Sequence, residues 1–376
     1  MMETEAATSA GDLRVTVSRD ALAQKLGIVA RGVSSRTAVQ ILSGILLRSE
    51  GDQLQLAATD MELSLRASLP ARVESEGSVV VPGKLLVDLV RQLPAEEVRI
   101  EHGADDGVLR ITSGASNSQV NTFAAADFPR LPELDVQLHS LKAAAVLETI
   151  GRVRRAASRD ESRPVLTGIL VRFEPGKLVM AATDSYRLSV KETPLEADVP
   201  ELEAIVPARA LEELSRIAAG AETLELGVRE NQVIFGADGV WLTSRRIDGQ
   251  FPNFKQLLPD TFEHVVALNR AEVLEVVRRT SVLAQRNSPL RLRFAEGELV
   301  ISSQTQDVGE SRESLPIQYV GEALEIGFNA EFLRDGLDSV EGDEVTINLI
   351  SPLRPGLLKG GGGDFWYLIM PIRLAG

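Results

Sequence analysis

The chain has 376 residues and no cysteine. That excludes disulfides, thiolate zinc sites, iron–sulfur clusters and cysteine nucleophiles, and it fits a reducing compartment. Histidine is nearly absent: His102, His139 and His264 fall at unrelated places, so spacing assembles no catalytic constellation from them. No apolar run approaches the roughly 20 residues of a membrane helix. The segment from Met1 to Asp12 is small, polar and acidic, without the apolar core of a signal peptide. These absences predict a cytoplasmic protein with no membrane role and a disordered tail over residues 1–11. Gly360–Gly363 is not a phosphate loop, because no Gly-Lys-Ser/Thr follows and no helix opens after it. It reads as a hairpin tip. Basic excess is also missing: the net charge is −14, which by itself argues against nucleic acid. Forty Lys and Arg remain, however, and their placement matters more than their sum.

What is present is repetition. Leu178-Val179-Met180-Ala181-Ala182-Thr183-Asp184 has an upstream copy, Leu54-Gln55-Leu56-Ala57-Ala58-Thr59-Asp60. A degraded copy, Leu299-Val300-Ile301-Ser302-Ser303-Gln304-Thr305, lies downstream. Each reads as a strand entering a tight turn, so the chain is three copies of one domain, expected at 12–134, 135–261 and 262–376. The middle copy departs after its turn, with Tyr186-Arg187-Leu188 where the first has Glu62-Leu63-Ser64. A position that differs in one copy is a candidate for function. Asp60 and Asp184 are expected to bond their own backbone as turn residues.

Each copy shows two helices and about eight short strands. Leu22, Leu26, Val29 and Val33 give one apolar face behind the cap Ser18. Val146, Ile150, Val153 and Ala157 do the same over 142–157, and Val273, Val277 and Ala284 over 270–285. Pro82-Gly83 and Val206-Pro207 open second helices, and a third is expected over 330–340. Short turns imply antiparallel sheets. The predicted class is α+β: three repeated domains, each with antiparallel sheets in one layer and two helices in another.

The polar faces of these helices carry arginine. Arg152, Arg155 and Arg159 recur at helical spacing opposite Val146, Ile150 and Val153. Arg278, Arg279 and Arg286 do so in the last copy, and Arg31 and Arg36 in the first. Arg209 and Arg216 come from a second helix. These residues simply meet water in one reading, and Glu148/Arg152 and Glu275/Arg279 are ordinary i,i+4 pairs. In the other, three basic faces share one side.

The triplication, the Ala-Thr-Asp turn, Phe251-Pro252-Asn253-Phe254 and the terminal Met370-Pro371-Ile372-Arg373-Leu374 resemble the bacterial sliding clamp family, the beta subunits of DNA polymerase III holoenzyme. The resemblance runs from about Asp12 to Leu374. It implies that the chain forms half of a closed, dimeric, head-to-tail ring around duplex DNA held without sequence specificity. It implies Arg36, Arg152, Arg155, Arg159, Arg209, Arg216, Arg278, Arg279 and Arg286 facing that DNA. It implies a seam of Ser118 and Val120 against Val282 and Leu283. It further implies a peptide pocket between the second and third domains, lined by Leu166, Thr183, Ser185, Tyr186, Arg187, Leu188, Pro252, Leu257, Asn329, Phe332, Leu353, Met370, Pro371, Ile372, Arg373 and Leu374. The implied partners are the replicative DNA polymerase, a clamp loader and other proteins of replication and repair that carry a clamp-binding motif. Neither a cofactor, a metal nor a catalytic residue is implied. Ser185-Tyr186 stand where family members often have Gly-His, and Gln256 where they have a basic residue. The rival reading is an acidic multi-domain protein-binding scaffold with no nucleic-acid role.

Overall fold

A computed structural model describes residues 11–374, apart from 35–37, 105, 197–198, 200, 285–287 and 306–307. Arg36, Arg286 and nearly all of the expected tail therefore lie outside the described residues.

The first copy runs β1 (Leu13–Ser18), α1 (Arg19–Val29), β2 (Gly44–Glu50), β3 (Gln53–Thr59), β4 (Leu63–Ser75), β5 (Ser78–Pro82), α2 (Gly83–Arg91), β6 (Glu97–His102), β7 (Val108–Ser113) and β8 (Ser116–Asn121). The middle copy runs β9 (Leu138–Lys142), α3 (Ala143–Val153), α4 (Pro164–Thr167), β10 (Gly168–Glu174), β11 (Lys177–Thr183), β12 (Arg187–Pro194), β13 (Leu202–Pro207), α5 (Ala208–Ile217), β14 (Thr223–Arg229), β15 (Gln232–Ala237) and β16 (Val240–Arg245). The last copy runs β17 (His264–Asn269), α6 (Arg270–Ser281), β18 (Leu290–Ala295), β19 (Glu298–Thr305), β20 (Gly309–Pro316), β21 (Leu324–Phe328), α7 (Ala330–Ser339), β22 (Glu344–Leu349), β23 (Gly356–Gly360) and β24 (Phe365–Ile369). The expected order of elements is thus present, with one additional single-turn helix, α4.

Side-chain caps start three of the helices, of which the sequence marked the first. The Ser18 side chain accepts from Ala21 N at the head of α1. Asn269 and Asn329 do the same for α6 and α7, each accepting from the amide three residues on at 3.1 Å. Such a cap is worth about 1 kcal/mol over alanine. Leu22, Leu26 and Val29 are completely buried, as the apolar spacing required.

The middle copy departs from its expected helix. The α-helical turns end at Val153, and residues Arg154–Ala156 tighten into a 3-10 turn. This puts Ala156 fully in the core. The chain then extends, and Ser158 N bonds Leu166 O at 2.8 Å. Arg155 therefore sits on the tightened turn and Arg159 in the loop beyond it, not on one continuous helical face. Likewise α6 ends at Ser281, four residues before Gln285.

Strand pairing shows how the copies are joined. Each copy has two antiparallel sets of four strands, which in the first copy are joined because β1 also pairs with β4. In the first they are β8-β7-β6-β1 and β5-β2-β3-β4; in the middle, β9-β14-β15-β16 and β13-β10-β11-β12; in the last, β17-β22-β23-β24 and β20-β19-β18-β21. β4 then pairs with β16, with Leu65 opposite Leu242. β12 pairs with β24, with Ser189 opposite Tyr367. Compact units follow these seams rather than the repeats. One unit gathers the chain up to Ser140 with Arg216–Arg245; the other gathers Leu141–Ser215 with the chain from Arg246. In the first unit α1 lies on β3 and β4, and in the second α3 lies on β11 and β12. The second unit's core is built on Phe294, Phe328 and Tyr367, with a satellite of Leu188, Phe251, Phe254 and Leu368.

Candidate functional site

The turn between β11 and β12 is built by two side chains. Thr183 Oγ1 donates to Arg187 O at 2.6 Å and accepts from Ser185 N at 3.2 Å. Asp184 Oδ1 accepts from Tyr186 N at 2.9 Å and Arg187 N at 3.0 Å. Both carry out the turn role expected of Asp184. Closing the turn forces Ser185 to φ +80°, a left-handed conformation that costs a non-glycine residue about 1–2 kcal/mol. The result is that Tyr186 stands out, 62% exposed. Its carbonyl accepts from Met370 N at 2.8 Å, just past the end of β24.

Arg187 lies beneath, 8% exposed. Its Nε donates to Asp184 Oδ2 at 3.0 Å and its Nη1 to Asp335 Oδ2 at 2.6 Å. The guanidinium lies over the Phe332 ring, 4.3 Å from its centroid. Nη1 also reaches the Tyr367 hydroxyl at 3.4 Å, which itself donates to Phe332 O at 2.8 Å. Burial disfavours the cation, but the hydrogen bond to the Tyr367 oxygen and the carboxylates of Asp335 and Asp184 outweigh it, and Arg187 is lifted above its ordinary range. Burial pushes the Tyr367 phenol above its usual value, so it acts as a neutral donor. A cation taken out of water is tolerated here because its donors are matched by carboxylates and a ring face.

Around this floor the structure gathers most of the expected pocket residues. Leu166, Thr183, Arg187 and Leu188 are buried, whereas Tyr186 and Met370 are exposed. Asn329 and Phe332 come together through the α7 cap. Ile372 N bonds Gly327 O at 2.8 Å, and Leu374 covers Gly327 so closely that a Cβ there would meet its Cδ2 at 2.6 Å. Ser185 Oγ accepts from Arg163 Nη1 at 3.1 Å, a rim contact that sequence spacing did not show. Pro252 and Leu257 are exposed beside buried Phe254, and Leu353 is exposed between β22 and β23. Pro371 is half-buried and Arg373 exposed.

The arginines of the helices are engaged with carboxylates of their own chain. Arg155 Nη1 donates to Asp338 Oδ2 at 3.0 Å and lies 3.6 Å from Asp335 Oδ1. Arg278 bonds Glu275 at 2.9 Å and Asp338 at 3.2 Å. Arg279 grips Glu313 on β20 through two nitrogens, the closest contact 2.7 Å, which draws that carboxyl below its ordinary range. Arg152 donates to Ser339 O at 3.0 Å. Arg159 is exposed. Among the described residues no group of three or more His, Asp or Glu is disposed to hold a metal ion, and no helix is long and apolar enough to cross a membrane.

Residues 13–132 match the DNA polymerase III beta subunit N-terminal domain, 140–253 its central domain and 255–373 its C-terminal domain. The chain belongs to the DNA polymerase III beta subunit family. The turn between β11 and β12 falls in the central match, and Phe332, Asp335 and Met370 fall in the C-terminal match. The beta sliding clamp of Streptomyces coelicolor is 32% identical over 97% of this chain and 100% of its own length. The sliding clamp of Bacillus subtilis superimposes with a TM-score of 0.92 at 28% identity, covering 97% of this chain and all of that one. A Pseudomonas aeruginosa DnaN sliding clamp bound to griselimycin gives 0.89 at 27%, covering 97% and 100%. Three beta-subunit domains of α+β type are therefore the architecture of this chain.

Proposed function

We propose that the chain is a sliding clamp that encircles duplex DNA as a head-to-tail homodimer and tethers the replicative polymerase, the clamp loader and other motif-bearing replication and repair proteins. Three domains, 12–134, 135–261 and 262–376, carry this out in the cytoplasm, at the nucleoid during replication. No catalysis, metal or cofactor is involved.

The repeated seam carries this reading. β4 pairs with β16, and β12 with β24, in the same register. Each pairing joins one copy to the next. The series leaves β8 of the first copy and β20 of the last as sheet edges. Exposed edges are templates for pairing. Repeating the seam between two protomers sets Ser118 opposite Ser311 and Val120 opposite Gly309. Val282, 79% exposed at the end of α6, then meets the partner together with Leu283. Two such contacts related by a two-fold axis close a ring.

The DNA side is Arg152, Arg155, Arg159, Arg209, Arg216, Arg278 and Arg279, with Arg36 and Arg286. Pairing to Asp338 and Glu313 softens their field. A weak, sequence-blind grip suits a ring that slides, because enclosure rather than affinity retains it. The docking pocket is the sixteen-residue set from Leu166 to Leu374 named above. Tyr186 and Met370 offer apolar walls to short motifs with leucine and aromatic anchors.

The test has two arms. Val282→Asp touches only an exposed side chain, so the protomer stays folded while the dimer mass falls to that of a monomer. An unchanged dimer mass contradicts the seam. Wild-type protein loaded on closed circular duplex stays bound and is lost when the circle is cut; retention on linear DNA with free ends contradicts sliding. The rival scaffold reading, favoured by the net charge of −14, requires no retention on either.

A further inference from the structure

We propose that Asp335 is a positioning residue that ties the docking pocket to the basic helical surface, so that DNA drawing Arg155 away tightens partner binding. This rests on the sliding-clamp reading.

Asp335 is shared. Its Oδ2 accepts from Arg187 Nη1 at 2.6 Å, and its Oδ1 lies 3.6 Å from Arg155 Nη1. The Asp335 side chain is 13% exposed, that of Arg155 37%. One end of this link is therefore in the protein and the other within reach of solvent. Beyond Arg155 the chain of charges continues through Asp338 to Arg278 and Glu275. On the pocket side it reaches Asp184 and the Phe332 ring. Every group in this chain lies in one compact unit.

The direction follows from competition. Two cations divide the charge of one carboxylate. A phosphate that attracts Arg155 leaves Asp335 to Arg187 alone, and the guanidinium is held more firmly against Phe332. Phe332 is one helical turn before Asp335, and its ring is half-buried in the pocket wall. A wall fixed in advance costs less to order when a peptide docks. The first copy lacks the device, because Leu63 stands where the middle copy has Arg187.

The experiment measures a fluorescein-labelled polymerase-derived peptide against the intact dimer, with and without a saturating short linear duplex at low ionic strength. The duplex is expected to raise peptide affinity about fivefold in wild type, at the low end of typical couplings between sites. Arg155→Gln is expected to remove that increment while peptide still binds. Arg279→Gln weakens duplex binding comparably but keeps the increment, since Arg279 is held chiefly by Glu313 at 2.7 Å and meets the chain of charges only at its far end, 3.8 Å from Glu275. Asp335→Asn weakens peptide binding on the order of thirtyfold and also abolishes the increment; its dimer mass and near-ultraviolet circular dichroism report on folding. An increment that survives Arg155→Gln at duplex saturation overturns the proposal, as does wild-type peptide affinity that duplex leaves unchanged. Failure of duplex or of peptide to bind wild type at all would instead overturn the clamp reading itself.

Discussion

The turn before β4 and the turn before β12 are the same object with different cargo. In the first, Thr59 Oγ1 donates to Leu63 O at 3.0 Å, and Asp60 Oδ1 accepts from Glu62 N at 3.1 Å and Leu63 N at 2.8 Å. The second repeats each bond with Thr183, Asp184, Tyr186 and Arg187. Both place a non-glycine residue at positive φ, Met61 at +78° and Ser185 at +80°. Both present a carbonyl to the strand across the seam, Glu62 O to Arg245 N at 2.9 Å and Tyr186 O to Met370 N at 2.8 Å. Only the side chains differ. Leu63 is a core residue, whereas Arg187 carries a buried ion cluster under an exposed tyrosine. A scaffold fixed by backbone bonding leaves its outward positions free to acquire a function, and of these two copies the middle one carries the ion cluster.

The sharpest way to break the comparison is to convert the second turn's floor into the first's. Arg187→Leu with Asp335→Leu removes both members of the buried pair, and such replacements are often neutral for stability. Peptide affinity is expected to fall on the order of thirtyfold or more, measured by fluorescence anisotropy, with dimer mass unchanged. Wild-type affinity in this variant would mean that the pocket does not depend on what distinguishes the turns.

Next in size are the threonines, which the two turns share. Thr59→Val and Thr183→Val each remove one of two donors to a buried carbonyl, which keeps the amide of Asp60 or Asp184, and leave the amide of Met61 or Ser185 without its acceptor, at a cost of about 1–3 kcal/mol. Denaturant titration should show similar losses, while only Thr183→Val weakens peptide binding. Unequal losses would mean that the scaffolds are not equivalent. A smaller effect of opposite sign is expected from Met61→Gly and Ser185→Gly. Glycine relieves the left-handed strain but adds unfolded-state entropy, leaving a gain of about 0.5–1 kcal/mol in each.

Sequence made much of this legible. Repetition of Ala-Thr-Asp located both turns, and Asp60 and Asp184 bond as their residue type and spacing require. The cap Ser18 and the apolar stripes placed α1, α3 and α6 within a few residues, and α7 runs over Ala330–Ser339 against an expected 330–340. What sequence did not show was contact over distance. Arg187 meets Asp335, 148 residues away, and Arg155 meets Asp338 at a separation of 183. Spacing showed the i,i+4 pairs Glu148/Arg152 and Glu275/Arg279, which are present, but no periodicity carries the distant partners: Asp338 for Arg155 and Arg278, and Glu313 for Arg279. The same limit hid Arg163 against Ser185, and the way β16 and β12 bind the middle copy to its two neighbours through β4 and β24. The end of α3 was misplaced because Ala157 continues the apolar stripe, while the backbone tightens at Arg154 to bury Ala156.

The least disturbance is expected from pH, and it sharpens the contrast again. Arg187 lies above its ordinary range, so its contribution is present at all lower pH and is lost only as pH rises through that displaced value. Tyr367 is an acid held above its usual value by burial. The unfolded chain releases this proton near pH 10, so the folded state loses stability above that point, until its own displaced value is passed. Below it neither group changes charge. Peptide affinity should therefore vary less than about twofold between roughly pH 6 and 9. Above about pH 10, amide exchange at Arg187 and Leu188 should accelerate relative to that at Leu63 and Ser64, where no ion cluster lies beneath the turn. Equal acceleration at both turns would show that Tyr367 and Arg187 do not set the local stability of the turn before β12.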